Sequence, residues 1–329
     1  MRSLPTLVLA AATAVVCCHV PADASARTGF PGASRAHNGP VHGWVSPQVK
    51  SAQKLLYVAG GSPPTVDIFT ASGGQYTLAG QLTGFFDPQG IRTDDAGNLY
   101  VVDDFVPQEG PVGGQVDVFP KGATQPSRVI NPYPWNPFDV AVDKAGDIYI
   151  ANSNPIGKFS PGSVTVYGQS DVRPIRVLRG TDLKEIWGIT LDARTSDVYV
   201  SYATDSSGTG HIARFTRGRG KPTDLGVSYG PPWGITQDGD GNLLACDGDG
   251  PIEIYPQGGG PLLGAIQVPG APLFASFSSD HSLLYVSNFN NFDVEIFSYP
   301  GGTMVGSIQQ PIWAKNAWPT GVAYFPPAH

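Results

Sequence analysis

One recurring pattern constrains this chain more than any other feature. An apolar strand centred on a tyrosine or leucine appears as LLYVAG (55–60), NLYVVD (98–103), DIYIAN (147–152), DVYVSY (197–202), NLLACD (242–247) and LLYVSN (283–288). Its aligned residues, Tyr57, Tyr100, Tyr149, Tyr199, Leu244 and Tyr285, are separated by 43, 49, 50, 45 and 41 residues. Units of that length, too small to bury their own faces, have to stack on one another.

The text around each such strand, here strand b, fills out the unit. Five of the six are preceded by a strand a with a shared pattern of small residue, aliphatic residue and turn: GIRTDDAG, DVAVDKAG, GITLDARTS, GITQDGDG and ASFSSDHS. Asp94, Asp143, Asp192 and Asp238 open those turns, where aspartate bonds its own backbone and a following glycine supplies positive φ. After strand b comes strand c, alternating apolar and polar residues in VDIF (66–69), VDVF (116–119), VTVY (164–167), IARF (212–215), IEIY (252–255) and VEIF (294–297). That alternation is the period of a half-buried strand. A weaker strand d follows in SRVI, IRVL and MVGSI, as an outer edge facing water should be.

Four short antiparallel strands per unit at this period predict an all-β, six-bladed β-propeller. The first unit lacks strand a, and the chain ends with WPTGVAYF (318–325), a strand a without a strand b. The reciprocal gap predicts a ring closed by the C-terminal strand, which completes the first blade and removes the open sheet edges.

The N-terminus carries Arg2, an apolar run LVLAAATAVV and then Ala24-Ser25-Ala26. It reads as a secretory signal peptide over 1–26, too short for a membrane span, so the chain is expected to be secreted or periplasmic. Lipoprotein processing at Cys17 or Cys18 is the alternative, although Ala14-Val15-Val16 makes a poor lipobox. Residues 27–50 show no period and read as a loosely structured leader or a clamp lying on the body, leaving 51–329 as a single propeller domain. Cleavage after Ala26 leaves Cys246 as the one cysteine, which excludes an intrachain disulfide. A net charge of -7 argues against nucleic acid as a partner, because phosphates would be repelled.

The unit P-x-G-[IV]-x-x-D-x-x-G-[ND]-[LI]-Y-[VI] resembles NHL-type repeats and the wider group of six-bladed propellers that includes gluconolactonase and regucalcin-like hydrolases. The metal-dependent lactonases of that group place Asn, Asp and Glu around a central divalent cation. The corresponding positions are read here as Gln89, Phe138, Trp187, Trp233, Phe274 and Thr320, so no metal ligand is carried over.

In an up-and-down blade the start of strand a and the end of strand b share one face. Gln89, Phe138, Trp187, Trp233 and Phe274 are therefore expected on the same rim as Asp103, Asn152, Asp247 and Asn288. Apolar planes among carboxylates and amides make this the candidate ligand site. The competing reading is that the aromatics pack between blades and the Asp and Asn residues form turns. Glu185 and His211 fall on the same face and form a candidate general acid/base couple. The segment CDGDG (246–250) resembles a fragment of a calcium loop without its third ligand and distal glutamate, so a divalent cation has weak support. Two functional readings stay open. One is an exported binding module for a small molecule, glycan or protein. The other is a lactonase- or esterase-like hydrolase with an atypical centre.

Overall fold

A computed structural model describes residues 41–61, 63–106, 113–132, 135–155, 161–204, 208–309 and 318–329. Residues 1–26, read above as a signal peptide, with Cys17 and Cys18, and residues 27–40 lie outside the described residues.

Each unit forms one antiparallel sheet. The first blade contains β2 (Leu55–Gly61), β3 (Pro64–Ser72) and β4 (Gln75–Thr83), preceded in the chain by β1 (His42–Val45) and the short helix α1 (Gln48–Ser51). The second runs through β5 (Pro88–Thr93), β6 (Leu99–Val106), β7 (Gly113–Phe119) and β8 (Arg128–Ile130). The third has β9 (Trp135–Val142), β10 (Ile148–Pro155), β11 (Ser163–Tyr167) and β12 (Arg176–Arg179). The fourth has β13 (Glu185–Leu191), β14 (Val198–Ala203), β15 (Gly210–Phe215) and a two-residue β16 (Thr223–Asp224). The fifth has β17 (Pro232–Gln237), β18 (Leu243–Asp247), β19 (Ile252–Tyr255) and β20 (Gly264–Ile266). The sixth has β21 (Pro272–Phe277), β22 (Leu283–Asn288), β23 (Asp293–Ser298) and β24 (Met304–Ile308), and β25 (Pro319–Phe325) ends the series.

The ring closes as the sequence predicts. β25 pairs antiparallel with β2, Leu55 opposite Phe325 and Val58 opposite Val322, and becomes the innermost strand of the first blade. The inner strands β25, β5, β9, β13, β17 and β21 then touch in an unbroken circuit. The described end of the leader lies against the body. His42–Val45 pairs with β4 as a fifth, outermost strand of the first blade, so the folded body begins before residue 51. This strand covers an edge that would otherwise be open.

The core lies between blades. Leu55, Tyr57, Val66, Phe85, Leu99 and Phe119 bury one another where the first blade meets the second, and similar clusters recur around the ring. Side chains of this size contribute about 1.5–3 kcal/mol each on full burial. Cys246 is part of that packing, and burial pushes its thiol far above the usual range.

The turn aspartates do what the sequence assigns to them. Asp94 accepts the backbone N–H of Asn98, Asp143 those of Ala145 and Asp147, Asp192 those of Arg194 and Thr195, and Asp238 those of Asp240 and Asn242. The positive φ that ends each turn falls on Gly97, Gly146 and Gly241, and on Ser196 and His281 in the two blades without a glycine there.

Candidate functional site: the two ends of the central channel

The inner strands wall a channel along the ring axis. At the end where these strands begin, Phe138, Trp187, Trp233 and Phe274 meet across the axis. Ring centroids are 4.8 Å apart for Phe138 and Trp187, 5.0 Å for Trp187 and Trp233, and 5.6 Å for Phe138 and Trp233. Phe274 completes the cluster, 6.1 Å from Phe138 and 6.4 Å from Trp233. These separations are those of mutually packed aromatic rings. Phe138 and Phe274 are buried, whereas Trp187 and Trp233 keep part of their surface exposed. Gln89 and Thr320 close the remaining sector. The amide of Gln89 donates to Asp87, and the Thr320 hydroxyl donates to the carbonyl of Pro88.

The register corrects one position. Ser276 pairs with Tyr285, just as Thr236 pairs with Leu244 and Thr190 with Tyr199, so the true counterpart of Trp233 and Trp187 is Leu273. Phe274 occupies the small position held by Gly90, Gly188, Gly234 and Gly321. Counting from Ala275 as the small residue slips the strand by one residue, and a one-residue slip exchanges its faces. The small position matters because neighbouring inner strands converge there. A Cβ on Gly234 would collide with the Phe274 ring, and one on Gly90 with the Asp139 side chain. Phe274 reaches the axial cluster by lying over the space that Gly234 leaves.

The polar residues expected around these rings are tied to backbone. Asp103 accepts N–H groups from Phe86 and Asp87, Asp247 those of Gly230 and Asp249, and Asn288 that of Ala271. In each case the end of strand b clamps the connection that enters its own blade. Asn152 instead donates to the carbonyls of Ile150 and Ser163 and to the Thr165 hydroxyl. Burial raises the carboxyl of Asp103 well above the usual carboxylate range and, less strongly, that of Asp247.

Glu185 and His211 are not brought together. Glu185 pairs with Ala203 and His211 with Tyr202, so β14 runs between them. Adjacent residues of a strand point to opposite faces, which sends the two side chains to opposite sides of the blade. The His211 ring lies 5.5 Å from that of Tyr202, with Nδ1 3.1 Å from the carbonyl of Val227. A couple spanning one blade needs a shared face, which this register does not provide.

The residues present also fail to match a hard cation. Calcium takes six to eight oxygens, but the axial positions at this end carry rings. Asp247 of the CDGDG segment spends its oxygens on backbone N–H groups. Among the described residues no three His, Cys, Asp or Glu side chains gather where they could hold a metal.

Nothing in the repeat pattern points to the opposite end. There, among the strand a to strand b turns, the channel widens into a cavity of about 410 Å³. Its floor is Arg92, whose counterparts in the other inner strands are Ala141, Thr190, Thr236, Ser276 and Ala323. Arg92 Nη2 lies 3.4 Å and 3.3 Å from the carbonyls of Ile189 and Ile235, and 3.5 Å from the fully buried carboxylate of Asp139. Asp139 also accepts N–H groups from Val140 and Ile189. Desolvation outweighs the guanidinium and holds its carboxyl at about 6. The signal was legible: one charged residue stands at a position otherwise filled by small side chains.

No family model and no curated protein sequence matches the chain. Solved structures do. A chain from a nidogen/laminin complex superposes with a TM-score of 0.64 at 16% identity, covering 82% of this chain and 97% of that one. The WD40 propeller domain of Doa1 superposes with a TM-score of 0.55 at 12% identity, covering 79% and 80%. At these identities the likeness is one of fold, and propellers host many functions.

Proposed function

We propose that the chain is an exported propeller acting as a binding module, with a protein as its partner, and that it engages this partner through the aromatic end of the channel. The observation that carries this reading is the ring cluster on the axis. Trp187 and Trp233 offer exposed indole surface on a rigid backing, and a desolvated aromatic centre within a polar rim is the usual anatomy of an interface hot spot. A lactonase-like centre would need oxygen donors at these same positions. Export rests on the sequence of residues 1–26. The neighbour taken from a nidogen/laminin complex comes from a protein assembly, which is compatible with a protein partner.

Site-specific photo-crosslinking tests the proposal. A crosslinking residue at Asn290, exposed on the aromatic face, is expected to give a defined protein adduct, while one at Asp240 on the turn face gives none. Trp233→Ala should abolish the adduct while the circular dichroism stays unchanged. Equal adducts from both faces would contradict the assignment. Turnover of lactones or esters by the pure protein would replace it with the hydrolase reading.

A further inference from the structure

The cavity at the turn end is independent of the aromatic face and has a chemistry of its own. Arg92 crosses the channel with Nη2 anchored on two carbonyls and on Asp139, which fixes the guanidinium plane. Its Nε and Nη1 groups have no hydrogen-bond partner among the described residues, and the side chain keeps 17% of its surface exposed. The remaining N–H donors of an anchored guanidinium at the floor of a cavity are suited to a carboxylate, which they can meet with single charge-assisted hydrogen bonds.

Next to it, Thr190 is only 9% exposed and lines the cavity, yet its hydroxyl has no partner among the described residues. The hydroxyl of Thr236 is likewise unpartnered and lines the same wall. Neither hydroxyl is used by the fold, so both can hydrogen-bond a molecule in the cavity.

The mouth has the opposite polarity to the floor. Asp94, Asp95, Asp143, Asp192 and Asp238 stand there against Lys144 and Arg194, and Arg194 is already paired with Asp192 at 3.6 Å. His281 and His329 also face the mouth, and His329 Nε2 is 2.6 Å from Asp95. The turn aspartates are held by their backbone bonds, so they act through their field and not as direct ligands. A second carboxylate at the mouth would be repelled, and an ammonium would be attracted. Asp94 lies two residues beyond Arg92 along the inner strand, a rise of about 7 Å, so a chain of about four methylenes is the shortest that can reach from the floor toward the mouth.

We propose that this cavity binds a small ω-amino carboxylate, its carboxylate on Arg92 and the Thr190 and Thr236 hydroxyls, its ammonium toward the aspartates at the mouth. A matched five-carbon series tests this by isothermal titration of the full chain: 5-aminopentanoate, pentanoate, pentylamine and glutarate. Saturable binding of 5-aminopentanoate is expected, at least fivefold tighter than pentanoate or pentylamine, with glutarate the weakest. The Thr190→Val/Thr236→Val double variant should bind at least fivefold more weakly with an unchanged melting midpoint. Absence of saturable binding at millimolar 5-aminopentanoate overturns the proposal, as would equal binding of glutarate or an unaffected double variant.

Discussion

The hydroxyl of Thr320 donates a hydrogen bond of 2.5 Å to the carbonyl of Pro88, across 232 residues of sequence. It joins the last strand of the chain to the inner strand of the second blade. The neighbouring strand joins in as well, because Ser287 donates to the carbonyl of Thr320 at 2.7 Å. β25 is thus fastened on one side to the second blade and on the other to the sixth. Thr320→Val keeps the shape and removes the donor. It leaves the Pro88 carbonyl buried without this partner, which costs about 1–3 kcal/mol. The melting midpoint should fall by several degrees in differential scanning fluorimetry.

Arg92, partly exposed to the cavity, pairs with the fully buried Asp139, and breaking the pair from one side should be expensive. Arg92→Ala strands the carboxylate and is expected to cost about 3–5 kcal/mol in urea unfolding. Adding Asp139→Asn removes the stranded charge and should recover a substantial part of that loss. Additive losses in the double variant would show that the two side chains are not coupled.

Phe274 lies over the space left by Gly234. Gly234→Ala should therefore be destabilising by about 1–3 kcal/mol through overpacking. Combining it with Phe274→Leu should relieve part of the clash. If the two changes are strictly additive in unfolding free energy, the corrected register of β21 is wrong.

Burial raises the carboxyls of Asp67, Asp117 and Asp139 to about 6. A carboxyl whose pKa is higher folded than unfolded binds more proton in the folded state between about 4 and 6. Stability should therefore fall as pH rises through that window and stay low above it. His281, whose pKa burial lowers, works in the opposite direction, one group against the several raised carboxyls. The melting midpoint is expected to be higher at pH 5 than at pH 7.5, and Asp67→Asn with Asp117→Asn should flatten the difference.

The sequence carries the architecture because a propeller repeats one local sentence. Period-2 strands around Tyr100 or Tyr149, Asp–Gly turns at Asp94 and Asp143, and the orphan strand at 318–325 are each readable without knowing their neighbours. The site is less legible because it depends on distances across the axis. Phe138, Trp187 and Trp233 could be placed on one rim, but only their separations reveal that they fill it. Asp103 and Asn288 look like rim ligands in the sequence, and only the path of the entering chain shows that they clamp it. Glu185 and His211 fail on parity: each is near the right end of its strand, yet the register sends them to opposite faces. Ala275 resembles the small residue of the other repeats and shifts the apparent frame by one at Phe274, while the pairing of Ser276 with Tyr285 sets the true frame.

The closed ring is the claim on which both channel ends depend, and removing its last strand tests it most directly. The chain lacking residues 318–329 should lose its cooperative melting transition in scanning calorimetry and aggregate. A synthetic peptide of residues 318–329 added in trans should restore a transition whose midpoint rises with peptide concentration. A truncated chain that melts cooperatively at the full-length midpoint, with no response to the peptide, would contradict the ring and the assembly of either site.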